Sequence, residues 1–106
     1  MALSFNQLNK GANMRRFLIK KYGELDYSIM ILNAQLEMLI NSKTHLAKTI
    51  MLENLTGLNC LIEILGESLD ASMDELEGND HENLIYDYEI LTGKFDNFTK
   101  ENGFSI

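Results

Sequence analysis

The chain has 106 residues, enough for one domain and too few for a second with its own hydrophobic core. Hydrophobic residues make up 45% and charged residues 24% of the sequence, a composition that is typical of folded proteins and excludes a disordered chain. The net charge is -7, yet the first 21 residues carry five basic and no acidic side chains. We therefore expect one folded unit with a basic arm on an acidic body.

The sequence shows no sign of a membrane or secretory segment. Wholly apolar runs extend over only a few residues, which is too short to cross a bilayer. The N-terminal sequence MALSFNQLNK lacks the charged-then-apolar layout of a signal peptide. We expect a cytoplasmic protein with no membrane partner. Its use of Asn, Ile and Lys is typical of an AT-rich genome, such as that of a low-GC bacterium or its phage.

Helical periodicity determines the predicted fold class. Apolar residues recur at alternating steps of four and three in three long segments, which is the spacing of one helix face and not of a strand. The three stripes run from Leu18 to Leu39, from Met51 to Leu69 and from Leu84 to Phe98. The sequence therefore predicts an all-α protein, a small bundle of three long antiparallel helices with a short N-terminal helical arm.

Glycine and polar residues set the predicted boundaries of these elements. The predicted arm and helices cover, in chain order, about residues 1–12, 13–42, 44–70 and 80–101. The arm ends at Gly11, and Thr44 is the expected N-cap of the second long helix. Asn79 or Asp80 caps the third, which ends at a C-terminal glycine, Gly103. All of these elements belong to a single domain, residues 1–106.

A continuous helix over residues 13–56 is the alternative to a break near residue 43. Lys43, Leu46 and Ile50 continue the spacing of four and three from Leu39, so the periodicity alone does not require a break. At 1.5 Å per residue such a helix would be about 65 Å long. The polar sequence NSKT favours the break.

The segment LDYSIMILNAQLEMLINS, residues 25–42, carries more apolar side chains than one helix face can use. Beside the core stripe, a second row at helical spacing consists of Tyr27, Ile31, Ala34 and Met38. Each helix of a three-helix bundle buries one broad stripe, so this row is surplus to the core. We expect it to mediate self-association, with a homodimer first. The alternative is a monomer in which the N-terminal segment and the C-terminal FSI cover the row.

A dense band of carboxylates spans the end of the second predicted helix and the start of the third. We expect five of them to contact a partner: Glu63, Glu67, Asp70, Asp74 and Glu77. A negative band of this kind suits a basic surface on another protein, and a solvated acidic face is the alternative. A calcium loop around Gly78 fails, because Met73 and Leu84 would take the first and last ligand positions.

The basic arm, by which we mean the basic residues among the first 21, suggests a different kind of partner. Arg15, Arg16, Lys20 and Lys21 cluster on a helical segment, where they could neutralise several phosphates. The acidic body would repel DNA, however, and no helix-turn-helix pattern follows the arm. A nucleic-acid-binding regulator is therefore the alternative hypothesis, and nucleic acid is not the partner we expect first.

The sequence contains no motif that carries recognisable chemistry. His45 and His81 lie at predicted helix starts without metal-ligand spacing, and the single cysteine, Cys60, is predicted to be buried in the run LNCLIEIL. P-loop, G-x-G-x-x-G and G-x-S-x-G motifs do not occur. We therefore expect no enzyme, no cofactor and no metal. The leading hypothesis is a non-enzymatic protein–protein interaction module that regulates, inhibits or chaperones another protein.

Overall fold

The computed structural model describes residues 5–76 and 78–106, with side chains described for residues 20–76 and 79–106. Three helices make up this part of the chain: α1 (Phe5–Asn41), α2 (Lys48–Ala71) and α3 (Gly78–Glu101). No strand occurs among the described residues, so the predicted all-α class is confirmed. None of the described helices is both long and apolar enough to cross a membrane.

Side-chain contacts show how α1 and α2 run relative to each other. Leu25 and Ser68 lie in the same groove between the two helices, and Leu39 and Asn54 line that groove further along. Rising residue numbers in α1 thus meet falling residue numbers in α2. The two helices are antiparallel.

The third helix packs against both of the others. In α3, the Tyr88 hydroxyl donates to the Ile62 carbonyl at 2.9 Å, and His81 Nε2 lies 3.0 Å from the Leu69 carbonyl oxygen. Rising numbers in α3 therefore meet falling numbers in α2, so these two helices are also antiparallel. Helix α3 consequently runs parallel to α1, and the helices pack in an up-down-up order.

The hydrophobic core consists of the predicted stripes where the side chains are described. The buried residues on α1 and α2 are Leu25, Ile29, Leu32, Leu36, Met51, Leu55, Leu58, Ile62, Leu65 and Leu69. On α3 they are Leu84, Leu91, Phe95 and Phe98. Each such side chain contributes about 1.5–3 kcal/mol when it is fully removed from water. The spacing of four and three therefore accounts for the packing of all three helices.

The start of α1 differs from the predicted one. The helix begins at Phe5 and passes through Gly11, so residues 5–12 continue α1 instead of forming a separate arm. A glycine inside a helix costs about 1 kcal/mol relative to alanine, which lowers helix stability without requiring a break. The same reason explains why Gly23 lies within α1.

The first connection, residues 42–47, replaces the predicted helix start at Thr44. The Ser42 carbonyl accepts hydrogen bonds from the backbone N–H groups of His45 at 2.9 Å and Leu46 at 3.1 Å, which closes a turn around Thr44. Leu46 packs partly buried against the core. Helix α2 then starts at Lys48, and its N-cap Ala47 makes no side-chain hydrogen bond. A continuous helix over residues 13–56 is therefore not formed.

The second connection repeats the first. The Ser72 carbonyl accepts from Glu75 N–H at 3.0 Å and from Leu76 N–H at 3.1 Å, and Leu76 is buried in the core. The buried Ser72 hydroxyl donates to the Leu69 carbonyl at 2.9 Å. The pattern Ser-x-x-x-Leu thus marks both reversals of the chain, since the serine carbonyl closes the turn and the leucine anchors it.

The end of α3 confirms the predicted stop. Gly103 has a φ of 69°, and its N–H donates to the Lys100 carbonyl at 3.2 Å. Phe104 N–H donates to the Thr99 carbonyl at 2.8 Å, which completes a Schellman motif. The Phe104 ring lies 6.2 Å from that of Phe98, centroid to centroid. Phe104 therefore packs on the core, and does not cover the Tyr27 row.

Candidate interaction surfaces

An apolar surface follows the groove between α1 and α2, which we call the α1–α2 groove. Residues of both helices line it, and none of the described residues of α3 does. Its apolar walls consist of Tyr27, Ile31 and Met38 on α1 with Leu61 and Ile64 on α2. Three of the four residues predicted for self-association therefore lie in one groove, and the fourth, Ala34, is exposed on the same helix.

Much of the side-chain surface on these walls is open to solvent. Tyr27 is 59% exposed, Met38 68% and Ile64 57%, although all three are large and apolar or mainly apolar. Contiguous apolar surface of this kind on a folded protein marks a contact site more often than a solvated face. Within the described residues, the α1–α2 groove is thus an apolar surface that the fold itself does not cover.

The polar residues of the α1–α2 groove are almost all uncharged. Ser28 and Gln35 line it from α1, and Asn54 and Ser68 line it from α2. Glu53 is the only charged residue that lines the groove along its described length. A contact here consequently requires little desolvation of charge, which is the main cost of burying a protein surface.

Gly57 forms a recess in this groove. Nothing lies within 4 Å of the position that a Cβ atom at Gly57 would occupy, so the space above the helix backbone is open. A glycine in the interior of a helix costs about 1 kcal/mol of helix stability relative to alanine. No contact within the described chain explains that cost.

Half of this groove lies on α2 and was not predicted from the sequence. The signal was available, because Ile50, Gly57, Leu61 and Ile64 lie at helical spacing on α2 beside its buried stripe. The first of them, Ile50, is also exposed. Periodicity does not show which row on another helix lies beside this one. The row that contains Leu61 adjoins the row that contains Ile31 because α1 and α2 pack with these flanks together.

A second groove lies between α2 and α3, and three residues of the predicted acidic band line it. These are Glu63, Glu67 and Asp70. Asp74 is exposed in the connection that follows α2, and Glu77 lies outside the described residues. The structure therefore brings three of the five predicted carboxylates together on the rim of what we call the α2–α3 groove.

Tyr88 occupies the part of the α2–α3 groove that lies over Gly66. Its hydroxyl donates to the Ile62 carbonyl at 2.9 Å, and a Cβ atom at Gly66 would stand only 2.5 Å from that hydroxyl oxygen. Burial raises the pKa of Tyr88 above its ordinary value of 10.0, and the charges of Asp70 and Glu63 raise the pKa further. The hydroxyl therefore keeps its proton and its hydrogen bond to a higher pH than an exposed tyrosine would.

The two lysines of the predicted basic cluster whose side chains are described contact carboxylates of the same chain. Lys21 Nζ lies 2.6 Å from Glu75 Oε2, which joins α1 to the second connection. Lys20 Nζ lies 3.8 Å from Glu24 Oε1, one turn along the helix, in an exposed pair. The side chains of Arg15 and Arg16 lie outside the described residues. A phosphate would have to compete with Glu24 and Glu75 for two of the four predicted cations.

The histidines and the cysteine occupy separate places. His81 bonds to the end of α2 through its Leu69 contact, whereas His45 is exposed in the first connection. Cys60 is exposed, so its predicted burial is wrong. The run LNCLIEIL is helical, and only Leu58, Ile62 and Leu65 on one face of it are buried. No group of three metal-binding side chains occurs among the described residues.

Comparison with protein-family models, with curated proteins and with solved structures finds no match for this chain. The functional conclusion therefore rests on the geometry of the two grooves.

Proposed function

We propose that this chain is a non-enzymatic protein–protein interaction module that associates with itself through α1 and modulates another protein as a regulator, inhibitor or chaperone. The observation that carries this proposal is the uncovered apolar α1–α2 groove. Its walls expose Tyr27, Ile31 and Met38 to solvent at a cost that a protein contact would remove.

The first test is the absolute mass of the purified chain by multi-angle light scattering at low and at high salt. A dimer at both salt concentrations is expected, because contacts between apolar walls do not depend on attraction between charges. The double variant Ile31→Glu/Met38→Glu should be a monomer with unchanged helical circular dichroism, since both side chains are exposed in the single chain. A wild-type monomer, or a double variant of unchanged mass, would overturn the self-association part.

The acidic rim of the α2–α3 groove supports the second part of the proposal. Glu63, Glu67 and Asp70 line the same groove as Tyr88, so its rim offers three carboxylates to a partner. A basic surface on another protein is the complement of this rim, and electrostatic complementarity of this kind increases association rates. The partner we expect is therefore a basic protein whose binding weakens as the salt concentration rises.

Paired baits test this second part. The wild-type chain and the variant Glu63→Gln/Glu67→Gln/Asp70→Asn should differ in the basic proteins they retain at low salt, and the difference should disappear at high salt. The variant keeps the size of each side chain, so it isolates charge from shape. Equal retention by both baits would remove the acidic rim as the partner site.

A further inference from the structure

The α1–α2 groove has properties that fit a second copy of the same chain. Its lining is apolar or uncharged apart from Glu53, so its occupant should present an apolar and nearly uncharged surface. The chain itself offers such a surface, with side chains that protrude on the walls and a recess at Gly57. Two copies of one groove can therefore pack wall against recess, as a two-fold interface requires.

The charge distribution along the bundle selects the orientation of the second copy. Residues 63–89, around the second connection, carry ten acidic and no Lys or Arg side chains. Residues 20–26, which Lys21 joins to that connection through Glu75, carry two basic and two acidic ones. The opposite end, residues 37–53 and 94–101, carries four lysines and four carboxylates. Among the residues whose side chains are described, the excess of negative charge thus lies at one end of the bundle. Two such ends repel when they lie side by side, which a parallel pair would require.

We infer that the occupant of the α1–α2 groove is a second copy in antiparallel orientation, centred near Ile31 and Leu61. This inference rests on the proposed function and adds to it the α2 half of the interface and the direction of the partner. The α2–α3 grooves of the dimer remain on its outside. Both acidic rims therefore stay accessible to another protein.

A matched pair of substitutions on α2 tests the α2 half. Leu61 is 46% exposed and Leu52 is 38% exposed, so the two side chains are similarly accessible. They are nine residues apart, about two and a half helical turns, so Leu52 lies on the other flank of the buried stripe of α2. Leu61→Glu should raise the dissociation constant of the dimer about 100-fold or more, because it places a carboxylate in an apolar contact. Leu52→Glu should change it by less than about 3-fold.

The outcomes separate this inference from the proposed function. If Leu61→Glu dimerises as tightly as Leu52→Glu while Ile31→Glu/Met38→Glu is a monomer, the α2 half is overturned and self-association through α1 stands. A wild-type chain that is a monomer at all concentrations overturns both. Circular dichroism of each variant shows that a loss of mass reflects dissociation and not unfolding.

Distances between spin labels test the orientation. In a Cys60→Ser background, Lys43→Cys places a single label in the exposed first connection, twelve residues beyond Ile31. An antiparallel pair puts the two labels roughly 35 Å apart along the bundle, and a parallel pair puts them within about 20 Å, or two helix diameters. The longer distance by double electron–electron resonance supports the antiparallel dimer. The shorter distance overturns it.

Discussion

The two grooves that flank helix α2 differ in what fills them. In the α2–α3 groove, the Tyr88 ring occupies the space over Gly66, and its hydroxyl is bonded to the Ile62 carbonyl. In the α1–α2 groove, the equivalent space over Gly57 is open. A side chain of α3 therefore occupies the space over Gly66, and no described side chain occupies the space over Gly57.

The rims of the two grooves differ in the same sense. Carboxylates on the rim of the α2–α3 groove are well solvated and cost little free energy when they face water. For the apolar walls of the α1–α2 groove, removing each Å² of surface from water would contribute about 25 cal/mol of stabilising free energy. Free energy thus favours covering only one of them, although both lie on the same helix. The difference shows that the side chain facing a helical glycine, and not the glycine itself, decides whether the space above it is occupied.

The two glycines of α2 provide the sharpest way to break this comparison. Gly57→Ala should raise the free energy of unfolding by about 1 kcal/mol at chain concentrations where the protein is monomeric, because alanine favours the helix and meets no atom. Gly66→Ala should lower the free energy of unfolding by about 1–2 kcal/mol. The new methyl group displaces Tyr88 and breaks the partly buried hydrogen bond from its hydroxyl to the Ile62 carbonyl. Urea unfolding followed by circular dichroism measures both.

The opposite signs are the decisive part of this prediction. Both substitutions add one methyl group to the same helix, so differences in helix propensity cancel between them. If both variants gain stability, the position of the Tyr88 ring does not depend on the space over Gly66. A double variant Gly66→Ala/Tyr88→Leu should recover part of the loss.

Removing the Tyr88 hydroxyl tests the α2–α3 groove with a smaller expected effect. Tyr88→Phe should lower the free energy of unfolding by about 1 kcal/mol at pH 7, since it deletes the hydrogen bond to the Ile62 carbonyl. Replacing Tyr86, which is 65% exposed and lines neither groove, by phenylalanine is the matched control and should have little effect.

The pH dependence of stability should also change in this variant. Because the pKa of Tyr88 is raised in the folded chain, the unfolded chain releases its proton first as the pH rises above 10.0. The folded state then binds more protons than the unfolded state, so the free energy of unfolding falls with rising pH in that range. This decline should be shallower in Tyr88→Phe, and an identical slope in both proteins would show that the Tyr88 hydroxyl is not protected.

The fold was predictable because burial in a helix is periodic. The steps of four and three from Met51 to Leu69 identify the buried face of α2 without knowledge of its neighbours. The start of α2 was not predictable in the same way. Thr44 has the side chain of a good N-cap, but the hydrogen bonds to the Ser42 carbonyl and the anchoring of Leu46 place it inside a turn.

The candidate sites were predictable only where they depend on the spacing within one helix. The Tyr27 row was predicted because it lies on one helix, where sequence spacing gives the face directly. The Leu61 wall and the contact of Tyr88 with Gly66 depend on which flanks of two helices meet, and that choice follows from packing between residues far apart in sequence. A single sequence contains the rows, but their pairing requires the three-dimensional arrangement.

Cys60 shows the limit of a composition argument and gives the smallest expected effect. It was predicted to be buried from its apolar neighbours, yet it is exposed and lines neither groove. Cys60→Ser should therefore change the free energy of unfolding by less than about 0.5 kcal/mol, whereas a buried hydroxyl without a partner would cost about 1–3 kcal/mol. The native thiol should react with a disulfide reagent without denaturant. A thiol that reacts only in Ile31→Glu/Met38→Glu would mean that the contact between copies extends beyond Leu61 around the outer face of α2.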